Sequence, residues 1–213
     1  MMENYCPLCK SEQIRSFQKV DNKQYLICDN CDLVFLPRKY HLSHDEEKKR
    51  YDLHENNPED DNYREFLSGM LNAILDYVDK PADGLDYGSG PGPALAQMLE
   101  ENGYKMDIYD PYYAPNSFIY KKKYDFVTCT EVVEHLARPG EEFQKITGLL
   151  KSSGIFGIMT RLRDADINFS NWHYRRDPTH VCFYSDKTFK WIARQYKFER
   201  RKISDKINIF VKN

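Results

Sequence analysis

The chain has 213 residues and a formal net charge of −2, with 30% charged and 14% aromatic residues. That length holds one full core plus a small accessory module and is too short for two full-sized domains. The composition excludes disorder, and the near-neutral balance gives no whole-chain electrostatic footprint for nucleic acid.

No apolar run reaches the roughly 18 residues of a membrane span, and the opening MMENYCPLCK has no secretory apolar core, so the expectation is a cytoplasmic protein with no membrane partner. CPLC (Cys6, Cys9) and CDNC (Cys28, Cys31) form C-x2-C-x18-C-x2-C, the spacing of a structural site in which four thiolates close a tetrahedral shell around zinc. Two disulfides would require an oxidising compartment, and a redox pair would not come as two matched knuckles around a strand-like SFQKVDNKQYLI. Residues 1–37 therefore read as a zinc ribbon that the metal stabilises. Cys129 and Cys182 read as buried thiols.

Residues 38–80 read as a linker followed by an amphipathic cap helix. The linker is polar and charged, yet it carries Tyr51 and His54, candidates for closing over a bound ligand. From Tyr63 to Val78, the residues Phe66, Leu67, Met70, Leu71, Ile74, Leu75 and Val78 recur at helical spacing and predict one buried face. From residue 81 the pattern alternates: strand GLDYG, helix PALAQMLEENG, strands KMDIYD and YDFVTCT, helix EVVEHLARPGEEFQKITGLLK, strand GIFGIMT. Such alternation predicts an α/β fold with a parallel sheet. The C-terminal part reads as helix DKTFKWIARQY and two strands, FERRKIS and KINIFVK, close enough to pair as an antiparallel hairpin. The basic run Lys187–Lys202 reads as a solvated face.

The loop LDYGSGPG, Leu85–Gly92, gives G-x-G-x-G, with Pro93 where a dinucleotide fold has its third glycine, and no Gly-Lys-Ser/Thr follows. Its backbone can still approach a ligand closely at the carboxyl end of the first strand of the sheet. Asp86 beside it would repel a diphosphate and suits a cationic ligand. Asp110, ending the next strand, is placed to accept the hydroxyls of a ribose. A ribose with a cationic group and no diphosphate describes S-adenosylmethionine.

Together with IYD, YDFVTCTEVVEHL and LLKSSGIFGIMT, this loop resembles the class I S-adenosylmethionine-dependent methyltransferases from about Gly84 to the C-terminus. With the ribbon, the chain looks like an uncharacterised bacterial branch of that family and is similar in arrangement to sugar C-methyltransferases, whose methylating domain follows a four-cysteine zinc module. The resemblance implies a Rossmann-like domain over 81–213, with Asp86, Tyr87, Gly88, Ser89, Gly90 and Gly92 along the cofactor's methionine part. It also implies Asp110 at the ribose, with Pro111 and Tyr112 beside it as cofactor-binding candidates, and Thr130 and Glu131 facing the pocket. The family usually has another strand and helix after the ribose acid. Here only Pro111–Lys123 fills that gap, which predicts a sheet shortened at one edge, with Tyr112, Tyr113 or Phe118 stacking on adenine or packing at the edge.

The segment FSNWHYRRDPTHVCFYS, Phe169–Ser185, is expected to roof the pocket. His173, His180 and Tyr174 are the catalytic candidates, the histidines because their unperturbed pKa suits neutral-pH proton transfer. Arg175 and Arg176, with His54 and Tyr51, are the substrate-binding candidates. Glu131, Glu134 and His135 would share one helical face, a set that can hold a divalent ion or simply favour a helix N-terminus. The expected activity is methyl transfer to a small-molecule acceptor, sugar-like or acidic. The rivals are an RNA methyltransferase gripping its substrate through ribbon and basic face, and a non-catalytic cofactor-binding module that docks a protein.

Overall fold

Two short strands open the chain, β1 (Ile14–Val20) and β2 (Lys23–Cys28), joined through Asp21 and Asn22 at φ 50° and 62°. Consecutive left-handed residues make the tight turn whose twist matches that of a hairpin, and Asp and Asn tolerate it. The computed structural model, which describes residues 4–53 and 56–213, adds β3 (Val34–Phe35) antiparallel to β2. The polar section then contains a helix, α1 (His44–Tyr51), started by a capping box in which the Ser43 side chain accepts from the Glu46 N–H and the Glu46 side chain accepts from the Ser43 N–H. Helix α2 (Asp61–Tyr77) follows, capped by the Asp60 carboxylate, and buries Leu67, Met70, Ala73 and Ile74. Phe66, expected inside, is 43% exposed. The buried stripe is narrower than the apolar periodicity suggested.

The α/β part comprises β4 (Asp83–Tyr87), α3 (Ala94–Glu101), β5 (Lys105–Tyr109), β6 (Tyr124–Thr130), α4 (Pro139–Leu149) and β7 (Leu150–Met159). After it come β8 (Cys182–Phe183), α5 (Asp186–Gln195), β9 (Phe198–Lys202) and β10 (Ile207–Lys212). The main sheet runs β5-β4-β6-β7-β10-β9, parallel through its first four strands and antiparallel around β10. Strand β5 is its edge, and only a 3-10 turn at Ser117–Lys121 lies between β5 and β6. The shortened Rossmann-like sheet and its C-terminal hairpin are as the sequence predicts. Helix α2 closes on β7 because Gly157 has no Cβ: one there would stand 2.8 Å from the Met70 sulfur.

The ribbon is not a free appendage. Strand β8, from the far end of the chain, pairs with β3 (Val34↔Phe183, Phe35↔Cys182) and makes the small sheet four-stranded. Leu33, Val34 and Phe35 share one buried cluster with Phe143, Phe156 and Tyr184. The first knuckle rests on α4, where a Cβ at Gly140 would lie 2.2 Å from the Leu8 carbonyl oxygen. Among the described residues no helix is long and apolar enough to cross a membrane.

Candidate active site

The turn after β4 passes through Gly88 and Gly90 at φ 86° and 65°, a conformation that side-chain-bearing residues avoid. It is stitched to the end of β5: the N–H groups of Gly88 and Ser89 donate to the Tyr109 carbonyl at 2.7 and 3.1 Å, and the Gly90 N–H donates to Asp110 Oδ2 at 3.1 Å. Asp110 Oδ1 accepts the N–H groups of Tyr112 and Tyr113 at 2.8 and 3.1 Å. One carboxylate thus fixes both loops at the carboxyl end of the sheet. Asp86, buried near the end of β4 just before the turn, accepts the Thr128 hydroxyl at 2.8 Å, and burial, with a smaller contribution from the Asp110 charge, pushes its pKa up to about 6. Among the described residues neither aspartate forms an ion pair with a lysine or arginine, so the pair favours an incoming cation.

Three elements cover this cradle. Residues 56–58 cross it so closely that a Cβ at Gly92 would sit 1.7 Å from the Asn56 carbonyl oxygen. Tyr63, in the first turn of α2, lies near both Asp86 and Glu131: burial and these two carboxylates push its hydroxyl up to about 12. Helix α1 forms the third cover. Glu47 accepts from the hydroxyls of Tyr51 and Tyr112, and Asp52 accepts from Tyr113 at 2.7 Å.

From there a file of rings crosses to the other side of the cleft. Tyr112 and Tyr51 lie 5.5 Å apart, Tyr51 and His135 5.5 Å, His135 and His180 4.6 Å, and His180 and Tyr174 4.2 Å between centroids. The Tyr174 hydroxyl contacts Glu134 Oε1, Glu131 Oε2 at 3.2 Å and the Thr160 hydroxyl at 3.0 Å. Burial, reinforced by the Glu131 charge, holds Glu134 well above the usual carboxylate range, and burial also raises Glu131 and Tyr174. A cavity of 260 Å³ lined by Arg38, His41, Glu47, His135 and Thr179 adjoins the file.

The predicted helix EVVEHL does not form. Glu131 is left-handed (φ 52°), Val133–His135 make a single 3-10 turn, and α4 starts only at Pro139. Val132 is held over Gly88, where a Cβ would come within 2.4 Å of it, and that packing replaces the helical face expected for Glu131, Glu134 and His135. Tyr174 and His180 enter the cluster, whereas His173 is exposed. Arg175 is buried but turns to the ribbon, donating to Ser170 O at 3.0 Å and pairing with Asp21 at 3.0 Å, and Arg176 is exposed. Tyr51 lies in the ring file. His54 falls outside the described residues. Phe118, offered for adenine stacking, is 70% exposed at the sheet edge, while Tyr112 and Tyr113 are tied to α1. Sequence reasoning missed the roles of Glu47 and Asp52, although Ser43-x-x-Glu46 is a helix-start signal that would have located α1.

In the ribbon, Cys6 Sγ lies 3.5 Å from Cys31 Sγ and Cys9 Sγ 3.4 Å from Cys28 Sγ, and all four sulfurs fall within 4.8 Å of one another. Zn–S bonds of about 2.3 Å in a tetrahedron separate sulfurs by about 3.8 Å, so the set fits zinc after slight expansion. The two knuckles match: Lys10 and Asp32, each following a second cysteine, are left-handed at φ 60° and donate their N–H groups to the Cys6 and Cys28 carbonyls at 3.0 and 2.8 Å.

Comparison with known proteins gives a match to the methyltransferase domain family over residues 60–202. Over 96 residues, 43% of the chain, there is 25% identity to the ubiquinone biosynthesis O-methyltransferase of Actinobacillus pleuropneumoniae serotype 5b. The match spans 41% of that relative's length. Among solved structures, the 1,6-didemethyltoxoflavin-N1-methyltransferase of Burkholderia thailandensis, determined with 1,6-didemethyltoxoflavin and S-adenosylhomocysteine, aligns with a TM-score of 0.54 at 16% identity, covering 85% of this chain and 96% of that one. A SAM-dependent methyltransferase from Archaeoglobus fulgidus aligns with a TM-score of 0.50 at 22% identity, covering 64% and 69%. At these identities the structural likeness establishes a shared fold.

Proposed function

Since the chain belongs to the methyltransferase domain family, we propose that it transfers the methyl group of S-adenosylmethionine to a small-molecule acceptor. The observation that carries this reading is the pair of buried carboxylates, Asp86 and Asp110, flanking a glycine turn with no ion-paired lysine or arginine on either among the described residues. Such a cradle suits a cationic nucleoside and opposes a diphosphate. In this reading Asp86, Tyr87, Gly88, Ser89, Gly90 and Gly92 line the methionine part, Asp110 holds the ribose with Pro111 and Tyr112 beside the cofactor, and Thr130 and Glu131 face the pocket. The bound cofactor supplies an electrophilic methyl group on a sulfonium. The chain's own work is alignment, exclusion of water and charge stabilisation. Helix α1, Tyr63 and residues 56–58 exclude solvent. The cluster of Tyr174, Glu134, His135 and His180 meets the acceptor, which enters by the 260 Å³ cavity. The ribbon holds structural zinc in the Cys6, Cys9, Cys28 and Cys31 shell, where four protein ligands leave the metal no position for chemistry.

The test is transfer of labelled methyl from S-adenosylmethionine to small hydroxylated, amino and acidic acceptors, with S-adenosylhomocysteine binding measured in parallel. Binding with turnover supports the proposal. Preferential retention of a nicotinamide or flavin dinucleotide refutes it.

Asp86 supplies a pH test. A cation binds its ionised form, so S-adenosylmethionine affinity should rise as pH increases through about 6, the pKa that burial gives Asp86. In Asp86→Asn that step should vanish in calorimetry at pH 5 and pH 7; persistence of the step would remove Asp86 from the site. The sign for stability is opposite. The folded state holds the proton up to about pH 6, whereas the unfolded chain loses it near 3.9, so this group's contribution to stability falls between those values as pH rises.

A further inference from the structure

We infer that the acceptor is an anion: a small molecule whose carboxylate or phosphate is held by Arg38 in a groove walled by the ribbon, with its methyl-accepting atom reaching inward past His135. The inference rests on the methyl-transfer reading and names the substrate class for the same cleft.

Two cavities make the groove. The 260 Å³ cavity reaches His135, and a second of 140 Å³ reaches Tyr5, Pro7 and Lys10 of the first knuckle. Arg38, His41, Ala137 and Val181 line both, so the two form one passage from the ribbon to the ring file. The backbone at their junction is fixed by its attachment to β3. The Leu36 N–H donates to the Val181 carbonyl at 2.8 Å, His41 Nε2 donates to the Leu36 carbonyl at 2.7 Å, and Arg38 begins the 3-10 turn Arg38–Tyr40 between them. The ribbon's sheet therefore sets where Arg38 stands.

Charge changes sign along the passage. Its outer part carries Lys10, Arg38 and Arg138 against one carboxylate, Glu141, which Lys10 and Arg138 share at 3.5 and 3.4 Å. At the inner end Glu47 lines the wall, and Glu131 and Glu134 meet at the Tyr174 hydroxyl. An anion placed there would add negative charge beside carboxyl groups that burial already opposes ionising. At Arg38 it meets instead a planar guanidinium, whose paired N–H groups match the oxygens of a carboxylate or phosphate. Between the ends, Leu36, Ala137 and Val181 offer an apolar wall to a carbon framework. A passage polarised in this way orients its occupant, with the anion outward and an uncharged nucleophile inward. The ribbon thus takes part in acceptor recognition, supplying Lys10 and positioning Arg38.

The experiment is calorimetric titration of the zinc-loaded chain, with and without S-adenosylhomocysteine, using two matched pairs of probes. These are glucose 6-phosphate against glucose, and 4-hydroxyphenylacetate against 4-hydroxyphenylethanol. The expected result is that at least one anion binds about tenfold more tightly than its neutral counterpart, as a charge-assisted contact allows, and the pair that shows it tells phosphate from carboxylate. Arg38→Gln should abolish the preference, Arg38→Lys should restore part of it, and Arg201→Gln, at an exposed position on β9, should leave it unchanged. Melting curves establish that each variant is folded. No preference for either anion in the wild type, a preference that survives Arg38→Gln, or binding of a single-stranded RNA oligonucleotide in place of both small anions would overturn the inference. An Arg38-dependent preference in a chain that does not bind S-adenosylhomocysteine would instead refute the methyl-transfer reading and leave the anion subsite standing.

Discussion

Cys28→Ser is expected to release the ribbon's zinc and to lower the melting temperature of the whole chain by about 10 °C. Cys28 is fully buried, 3.4 Å from Cys9 Sγ, and a serine hydroxyl there neither ionises nor bonds zinc as a thiolate does. Structural zinc contributes on the order of 10 kcal/mol to small modules that fold around it. Only part of that is lost here because Leu33, Val34 and Phe35 remain in the shared core. A net loss of about 4 kcal/mol corresponds to that shift for a chain of this size. Metal analysis and calorimetric melting of wild type and variant check it. A variant that keeps one zinc per chain and melts with the wild type would refute the ribbon assignment.

Asp110→Ala should weaken S-adenosylhomocysteine binding by about a hundredfold while leaving the fold intact. Two effects add. On the proposed reading the ribose loses a charged acceptor, and hydrogen bonds to charged groups contribute about 1.5–3 kcal/mol each. The cradle also loses its tie, because the N–H groups of Gly90, Tyr112 and Tyr113 all end on this carboxylate. Calorimetry measures the affinity, and a melting curve separates a disordered loop from an unfolded chain. Unchanged affinity in a folded variant would remove the ribose role.

The outcome at individual residues shows what the chain's pattern carries. The positions of the glycine turn, Asp86 and Asp110 at the strand ends were legible because each depends on neighbours within one β-α-β unit. The shortened edge was legible because Pro111–Lys123 is too short to hold another strand and helix. Helix α1 was missed although its capping box is local, because the segment is so polar that it reads as linker. The turn around Glu131 was misread because the helical spacing of EVVEHL is overridden by Val132 packing on Gly88. Strand β8 was illegible: two residues carry no periodicity, and their partner lies at the other end of the chain. Arg175 was misdirected for a similar reason, since nothing near it in sequence announces Asp21.

Strand β8 serves two masters, edging the ribbon's sheet while its neighbours Val181 and Tyr184 brace the turn that carries Glu134. A ribbon joined this way is not a detachable cassette. Removing it would strip Cys182 and Phe183 of their pairing and bare an unpaired backbone edge behind the Glu134 turn. The two parts instead share one seam, so a change that loosens either end of the chain there is felt by both sheets.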